Sequence, residues 1–192
     1  MSLSRNLIIS IDSITSWIDG SRSINFWRNS VLNPISPKST INYNNTLNNK
    51  EVSLQVDYSR PQKKGRLIFG SEEEGALVPY NKYWRTGANF CTDFYTSSEI
   101  SFNGNKLDSG KYFLYTFPNE GTWDVVLNSE HGRFGFFNPN RDNDILITSV
   151  PSYLIDDNLE QFTIDFQKKA ETSDTLYLRL RWDNISVEIP IN

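Results

Sequence analysis

Residues 58–89 hold the side chains with the clearest potential for chemistry, because basic and aromatic residues are concentrated there. Six Lys or Arg against three Glu give the segment a net charge of +3, and glycines and prolines punctuate it as in a loop. Arginine forks bind carboxylate or phosphate, and aromatic rings beside polar donors suit sugars or peptides. The predicted ligand-binding residues are Arg60, Arg66, Trp84, Arg85 and Asn89.

The same residues also have a purely structural interpretation, which the sequence leaves open. Arg60 and Arg85 could pair with Asp57 and Asp93, or could hydrogen-bond loop carbonyls. The Arg-Pro and Thr-Gly steps could simply set turn geometry. Loops on rigid β scaffolds often carry function, so the segment remains the candidate site.

Several common chemistries lack the residues they need. A zinc site needs clustered Cys and His ligands, and the chain has one of each. Residues 138–144 alternate Asn and Asp but lack the glycine of an EF-hand loop, so we expect a solvated turn. His131 lies in an apparent surface turn, and Cys91 reads as a core residue or a shielded thiol. The sequence therefore predicts no catalytic residue, no metal site and no cofactor.

Paired carboxylates are harder to judge, because a glycosidase assembles them in space rather than in sequence. Asp93, Asp124 and Asp165 each alternate with apolar neighbours, so we expect each to mark the solvated face of a strand. A carboxylate-dependent hydrolase stays open as an alternative. A pocket with two carboxyl groups roughly 5–10 Å apart would favour it.

Charge and hydropathy limit the partners. The net charge is −4 over 192 residues, which argues against nucleic-acid binding, because such proteins neutralise phosphates with a basic excess. No apolar run is long enough to predict a transmembrane segment. The apolar start Leu7-Ile8-Ile9 is interrupted by Asp12, so no signal peptide is predicted.

Periodicity predicts an all-β fold. From about residue 40 the apolar residues alternate with polar ones, most clearly over 52–58 and 176–182. Turn signals such as Asn103-Gly104 separate these runs, and Asp183-Asn184 is predicted to close a terminal hairpin. Residues 4–19 have helical spacing. We therefore predict an antiparallel β-sandwich, jelly-roll-like, over 36–192 with a helical N-terminal extension over 1–35.

Several blocks, in order, resemble a bacterial family known as domain of unknown function 2911. They are SPKST (36–40), VDYSRP (56–61), KGRLIFG (64–70), LVPYNKYWRTGAN (77–89), GKYFLYTFP (110–118), WDVVLN (123–128) and FTIDF (162–166). The acidic stretch 71–75 departs from the usual short link between two of these blocks. The resemblance implies an exported, periplasmic or secreted protein of Bacteroidetes-like bacteria and no known activity; a cytoplasmic location stays open.

The predicted function is a non-enzymatic binding module for an anionic, sugar-like or peptide ligand, centred on residues 60–89. The arginine–aromatic clustering and the lack of a catalytic motif favour it. Two alternatives remain: the carboxylate-dependent hydrolase, and a structural or assembly protein of the cell envelope. A large apolar patch or a symmetric interface without a pocket would favour the latter.

Overall fold

The computed structural model describes residues 35–132, 135, 138–170, 173 and 175–192. The predicted helix over residues 4–19 lies outside the described residues, as does all of the predicted extension except Ile35. Eleven strands and one short 3-10 helix (Arg141–Asn143) are described. The strands are β1 (Lys38–Leu47), β2 (Lys50–Ser59), β3 (Phe69–Gly70), β4 (Val78–Pro79), β5 (Thr92–Thr96), β6 (Ile100–Phe102), β7 (Asn105–Leu107), β8 (Gly110–Phe117), β9 (Thr122–Asn128), β10 (Asp144–Lys168) and β11 (Leu176–Ile191).

Nine of these strands form one continuous sheet in the order β1-β2-β5-β8-β9-β10-β11-β6-β7. Every pair of neighbours in it is antiparallel, whereas β3 and β4 form a separate parallel pair. The all-β, antiparallel prediction is therefore confirmed.

Strand β10 belongs to two parts of the sheet. Residues 144–151 pair with β9, whereas residues 152–168 pair with β11, with register shifts at Leu159. We call β1, β2, β5, β8, β9 and the first part of β10 the first arm. The second arm consists of the rest of β10 together with β11, β6 and β7.

The two arms face each other across the hydrophobic core. The ring of Tyr58 on β2 packs edge-on against Phe162 on β10, with 5.8 Å between ring centroids. Its hydroxyl accepts a hydrogen bond from the Ile164 N–H (3.0 Å) and donates one to the Ile164 carbonyl (3.2 Å). Since a buried hydroxyl needs such partners, these bonds lock the arms into a two-layer sandwich.

The alternation of apolar and polar residues predicts the core positions correctly, but not every predicted turn is one. Asn103 and Gly104 have φ values of 47° and 78° and connect β6 to β7, as the hairpin signal predicts. The predicted hairpin at Asp183-Asn184 is wrong, because β11 runs through it without reversing. Asp183 has φ 54° at a break in the β10–β11 register, which marks a bulge rather than a turn.

The first arm also has an apolar patch on its outer face, away from the main core. Cys91, Phe113, Tyr115 and Val126 are buried there in a second cluster. Tyr115 donates a 2.6 Å hydrogen bond to the Asp144 carboxylate. This outer face, rather than the interior, carries the pocket described next.

Candidate functional site

Trp84 is a core residue and does not line a surface site. Its side chain is buried, with 8% exposed, and stacks on Trp182 at 5.9 Å between centroids. It also meets Phe162 at 5.0 Å, and its indole N–H donates to the Gly87 carbonyl (3.1 Å). These contacts place the ring between the arms, whereas the sequence pattern predicted it beside a ligand.

Arg60 and Arg66 lie in different surroundings. The Arg60 guanidinium donates to the Phe162 carbonyl (3.3 Å) and to the Thr163 hydroxyl (3.0 Å), so it reaches the second arm. Arg66 is exposed and donates to the carbonyl of Lys63 (2.9 Å), three residues earlier. Arg66 therefore stabilises the loop in which it lies.

Arg85 and Asn89 support the start of β1 and β5. The Arg85 guanidinium donates to the Asn89 carbonyl (3.3 Å), which also accepts the Gly135 N–H (2.9 Å). The Asn89 side chain, at φ 62°, donates to the Ser36 carbonyl (3.4 Å), two residues before β1. These bonds fix the loop between β4 and β5 against the beginning of β1.

A pocket of about 360 Å³ lies beside this junction, on the outer face of the first arm. It forms where the first residues of β1, the last residues of β2 and the approach to β5 meet. None of the five predicted ligand residues lines it, although Arg60 and Asn89 directly adjoin lining residues. The lining residues are Lys38, Ser39, Thr40, Asp57, Tyr58, Ser59, Phe90, Cys91, Asp93 and Gly132.

Two carboxylates stand side by side in the pocket. Asp57 on β2 and Asp93 on β5 are directly opposite in the strand register, and such positions have Cβ atoms about 4.5–5.5 Å apart. Asp93 was expected on the solvated face of its strand, but only 8% of the residue is exposed. Like charges this close repel, so each needs its own partners.

Separate partners stabilise each carboxylate. Asp57 accepts a 2.6 Å hydrogen bond from the Thr40 hydroxyl and a 2.8 Å bond from the Gln55 amide. Asp93 pairs with Lys111 (2.9 Å) and accepts the Gly132 N–H (3.0 Å). The partners of Asp57 are therefore neutral, whereas Asp93 already has a cation.

The pocket lining also includes an aromatic ring and a cation. Phe90 is 41% exposed, and the Lys38 ammonium lies 4.3 Å from its ring centroid. This is within range of a cation–π interaction. Ser39, Thr40 and Ser59 also belong to the lining.

A hydrogen-bonded network borders the same outer face. Asp144 accepts bonds from the Tyr115 hydroxyl (2.6 Å) and the Asn128 amide (2.8 Å). Burial, and then the hydrogen bond to Asp144, raise the pKa of the Tyr115 phenol well above its ordinary value. Tyr115 is therefore held as a hydrogen-bond donor and not as a proton acceptor.

The structure also shows where the other residues considered in the sequence analysis lie. In residues 138–144 the Asn140 side chain caps the 3-10 helix by accepting the Asp142 N–H (3.1 Å), and Asp144 belongs to the network above. His131 is exposed, and Cys91 is buried at the pocket. Within the described part of the chain, no group of three or more His, Cys, Asp or Glu is placed to hold a metal ion.

Sequence reasoning missed the pocket because its signal is not local. Lys38 begins β1, Asp57 lies near the end of β2 and Phe90 precedes β5. The pairing of β2 with both β1 and β5 brings these parts of the chain together. The sequence contained one indication for Asp57 and Asp93. Each lies in a run of alternating polar and apolar residues, which predicts a carboxylate on a strand. Nothing in the sequence showed that these two would be neighbours.

The fold and the site define an antiparallel β-sandwich protein with a polar pocket on an outer sheet face. The chain belongs to the family described as protein of unknown function DUF2911, which it matches over residues 36–191. No curated protein and no solved structure is significantly similar to it. In the ranges that the structure describes, no helix has both the length and the apolar character needed to cross a membrane.

Proposed function

We propose that this protein is a binding module whose pocket on the first arm holds a sugar-like, hydroxyl-rich ligand. The observation that carries the proposal is the combination of Asp57 and Asp93 with the exposed Phe90 ring in one concave site. Carboxylates accept hydrogen bonds from hydroxyl groups, and an aromatic ring offers an apolar face to the C–H groups of a sugar ring. The pocket volume, about 360 Å³, is at the small end of ligand sites and suits a ligand of one ring.

The charges of the lining favour a neutral ligand over an anion. The pocket lining contains two carboxylates and one ammonium group, that of Lys38. Lys111 lies next to the pocket, but its charge already compensates Asp93. These four charges sum to zero, so the pocket offers an anionic ligand no net electrostatic attraction.

The first experiment tests the aromatic platform. The protein would be titrated with a panel of mono- and disaccharides, organic acids and short peptides by isothermal titration calorimetry. Phe90→Ala removes a ring that a ligand would cover, and we expect an affinity loss of about tenfold, since burying part of a Phe contributes on the order of 1.4 kcal/mol. Tyr95→Ala is the matched control, because Tyr95 is on β5, is equally exposed at 40%, and lies outside the pocket.

A charge variant tests the acceptor role. Asp57→Asn keeps the shape of the side chain but removes its charge. A hydrogen bond to a charged group contributes about 1.5–3 kcal/mol, so we expect sugar affinity to fall tenfold or more. Asp124→Asn is the control, because Asp124 also accepts a 2.6 Å cross-strand bond from a hydroxyl, that of Ser149. Preferential binding of organic acids, or equal losses in both variants, would refute the proposal.

A second candidate function rests on the same carboxylates. Adjacent carboxyl groups about 5 Å apart are the arrangement of retaining glycosidases, in which one acts as nucleophile and the other as acid and base. The cross-strand position of Asp57 and Asp93 is compatible with that spacing. Turnover of aryl glycosides that both Asp57→Asn and Asp93→Asn abolish would support hydrolysis. Binding of a sugar without turnover would leave the binding module.

A further inference from the structure

On the outer face of β10 and β11, the arginine side chains outnumber the carboxylates that pair with them. Arg179 lies opposite Asp165 in the register and binds it through two bonds, of 2.7 and 2.9 Å. Arg181 binds the same carboxylate through one Nη atom. One carboxylate is therefore shared by two guanidinium groups.

A third guanidinium reaches the same place from the first arm. Thr163 lies directly opposite Arg181 on the neighbouring strand, and its hydroxyl accepts a bond from Arg60 (3.0 Å). Arg60 otherwise donates to a backbone carbonyl, and no described carboxylate forms a salt bridge with it. Three guanidinium groups and one carboxylate leave a local charge of +2 around Thr163.

The cluster also has unused hydrogen-bonding capacity. The Nε atom of Arg181 is buried and has no hydrogen-bond partner among the described residues. The Arg179 and Arg181 side chains are 20% exposed, so their outer edges still reach solvent. A partly desolvated guanidinium without a full set of acceptors is costly, and an added anion would lower that cost.

We propose that this face is an anion-binding site, distinct from the pocket on the first arm, which takes a carboxylate or phosphate group beside Thr163. Arg60 and Arg181 are the residues that bind the anion, because both flank Thr163 and neither is fully neutralised. Arginine suits this role, since its planar fork donates two parallel bonds to such oxygens. Arg179 positions Asp165, which keeps the cluster folded when no anion is bound.

The test measures binding of inorganic phosphate and of acetate at constant ionic strength, by calorimetry and by NMR of the arginine side-chain N–H signals. The native protein should bind at least one of these anions saturably, and Arg60→Gln and Arg181→Gln should each weaken binding tenfold or more. Glutamine retains donor groups while removing the charge. The ratio of phosphate to acetate affinity then shows whether the site prefers a phosphate or a carboxylate group.

Two further variants separate a specific site from general effects. Arg141→Gln removes an exposed arginine whose partner is Asp144, so it changes net charge equally and should leave anion binding unchanged. Arg181→Lys retains the charge but not the fork, and it should weaken binding while Asp165 remains paired with Arg179. The proposal is overturned if the native protein shows no saturable binding, if Arg141→Gln weakens it equally, or if the Arg181 variants lower only the melting temperature.

Discussion

Trp84 offers the sharpest test of how the loop between β2 and β5 is built. The side chain is buried between the arms, where it contacts Phe69, Trp123, Phe162 and Trp182 at centroid distances of 5.0–5.9 Å. We expect Trp84→Ala to destabilise the protein strongly. A ligand-contacting tryptophan would instead tolerate the change.

The magnitude follows from the lost volume and the lost hydrogen bond. Truncating a buried Trp to Ala costs about 3–5 kcal/mol, and the Gly87 carbonyl loses the indole donor, which adds about 1 kcal/mol. Natural domains have only about 5–15 kcal/mol of unfolding free energy, so a loss of about 5 kcal/mol is a large part of it. The melting temperature of a domain of this size should fall by about 10–20 °C.

The assay is urea unfolding followed by far-UV circular dichroism, with thermal unfolding as a second measure. Trp84→Phe retains a ring and should cost about 1–2 kcal/mol, mostly through the indole hydrogen bond and the smaller volume. Phe90→Ala is the contrasting control, because the Phe90 ring is 41% exposed and should cost under about 1 kcal/mol. A cost below about 1 kcal/mol for Trp84→Ala, with loss of ligand binding, would refute the assignment of Trp84 to the core.

Two further predictions concern turns within residues 58–89. The pKa of Glu74 is lowered, first by a hydrogen bond from the Ser71 backbone N–H (2.8 Å) and second by the Ser71 side chain. Ser71→Ala should therefore raise that pKa part of the way to its ordinary value, as measured by side-chain NMR against pH. A carboxylate whose pKa is lowered in the folded state stabilises the fold above its unfolded-state pKa, and this contribution is lost as the pH falls. The stabilities of the variant and the native protein should therefore converge in acid. An unchanged pKa of Glu74 in the variant would contradict the prediction. Gly87→Ala should cost about 1–3 kcal/mol in urea unfolding, because φ is +152° and a Cβ would lie 3.0 Å from the Ser59 carbonyl oxygen. Gly121→Ala, at φ +76° with nothing within 4 Å, isolates the φ effect and should cost less.

Local periodicity was sufficient to predict most of the strands. Val52, Leu54, Val56 and Tyr58 are all buried, as their alternation with polar residues indicates. The reason is physical: a period of two places every second side chain on one face, whatever the partner strand. The strand class therefore needed no long-range information.

Strand β10 shows where this reasoning stops. Pro151 and the polar run at residues 156–158 are typical of turns, yet the strand continues through both as one element of 25 residues. Pro151 pairs with Thr122 of β9, and Leu154 and Leu159, on either side of the polar run, pair with β11. Such tertiary pairing overrides local turn propensity, and a single sequence does not display it.

The residues that line the pocket could not be predicted from the sequence, because none of them lies within residues 60–89. That segment borders the pocket through the neighbouring Ser59 and Phe90, and it supplies Arg60 to the proposed anion site. The functional side chains, however, were assigned by type alone, so Trp84 was placed on a surface although loops here fold into the core. Asp57 was considered only as a partner for an arginine, and Arg181 was not singled out, because a polar residue alternating with core residues looks like ordinary solvated strand surface.

The strand β10 that connects both arms has a consequence for how the molecule can be divided. Because its two halves are paired in different arms, neither arm is a self-contained folding unit, although each has several strands of its own. A chain break near Leu154, which is 77% exposed, would separate the halves of one strand without releasing either from its neighbours. The two fragments on either side of such a break would form a split protein, whose reassembly could report on whatever ligand stabilises the joined form.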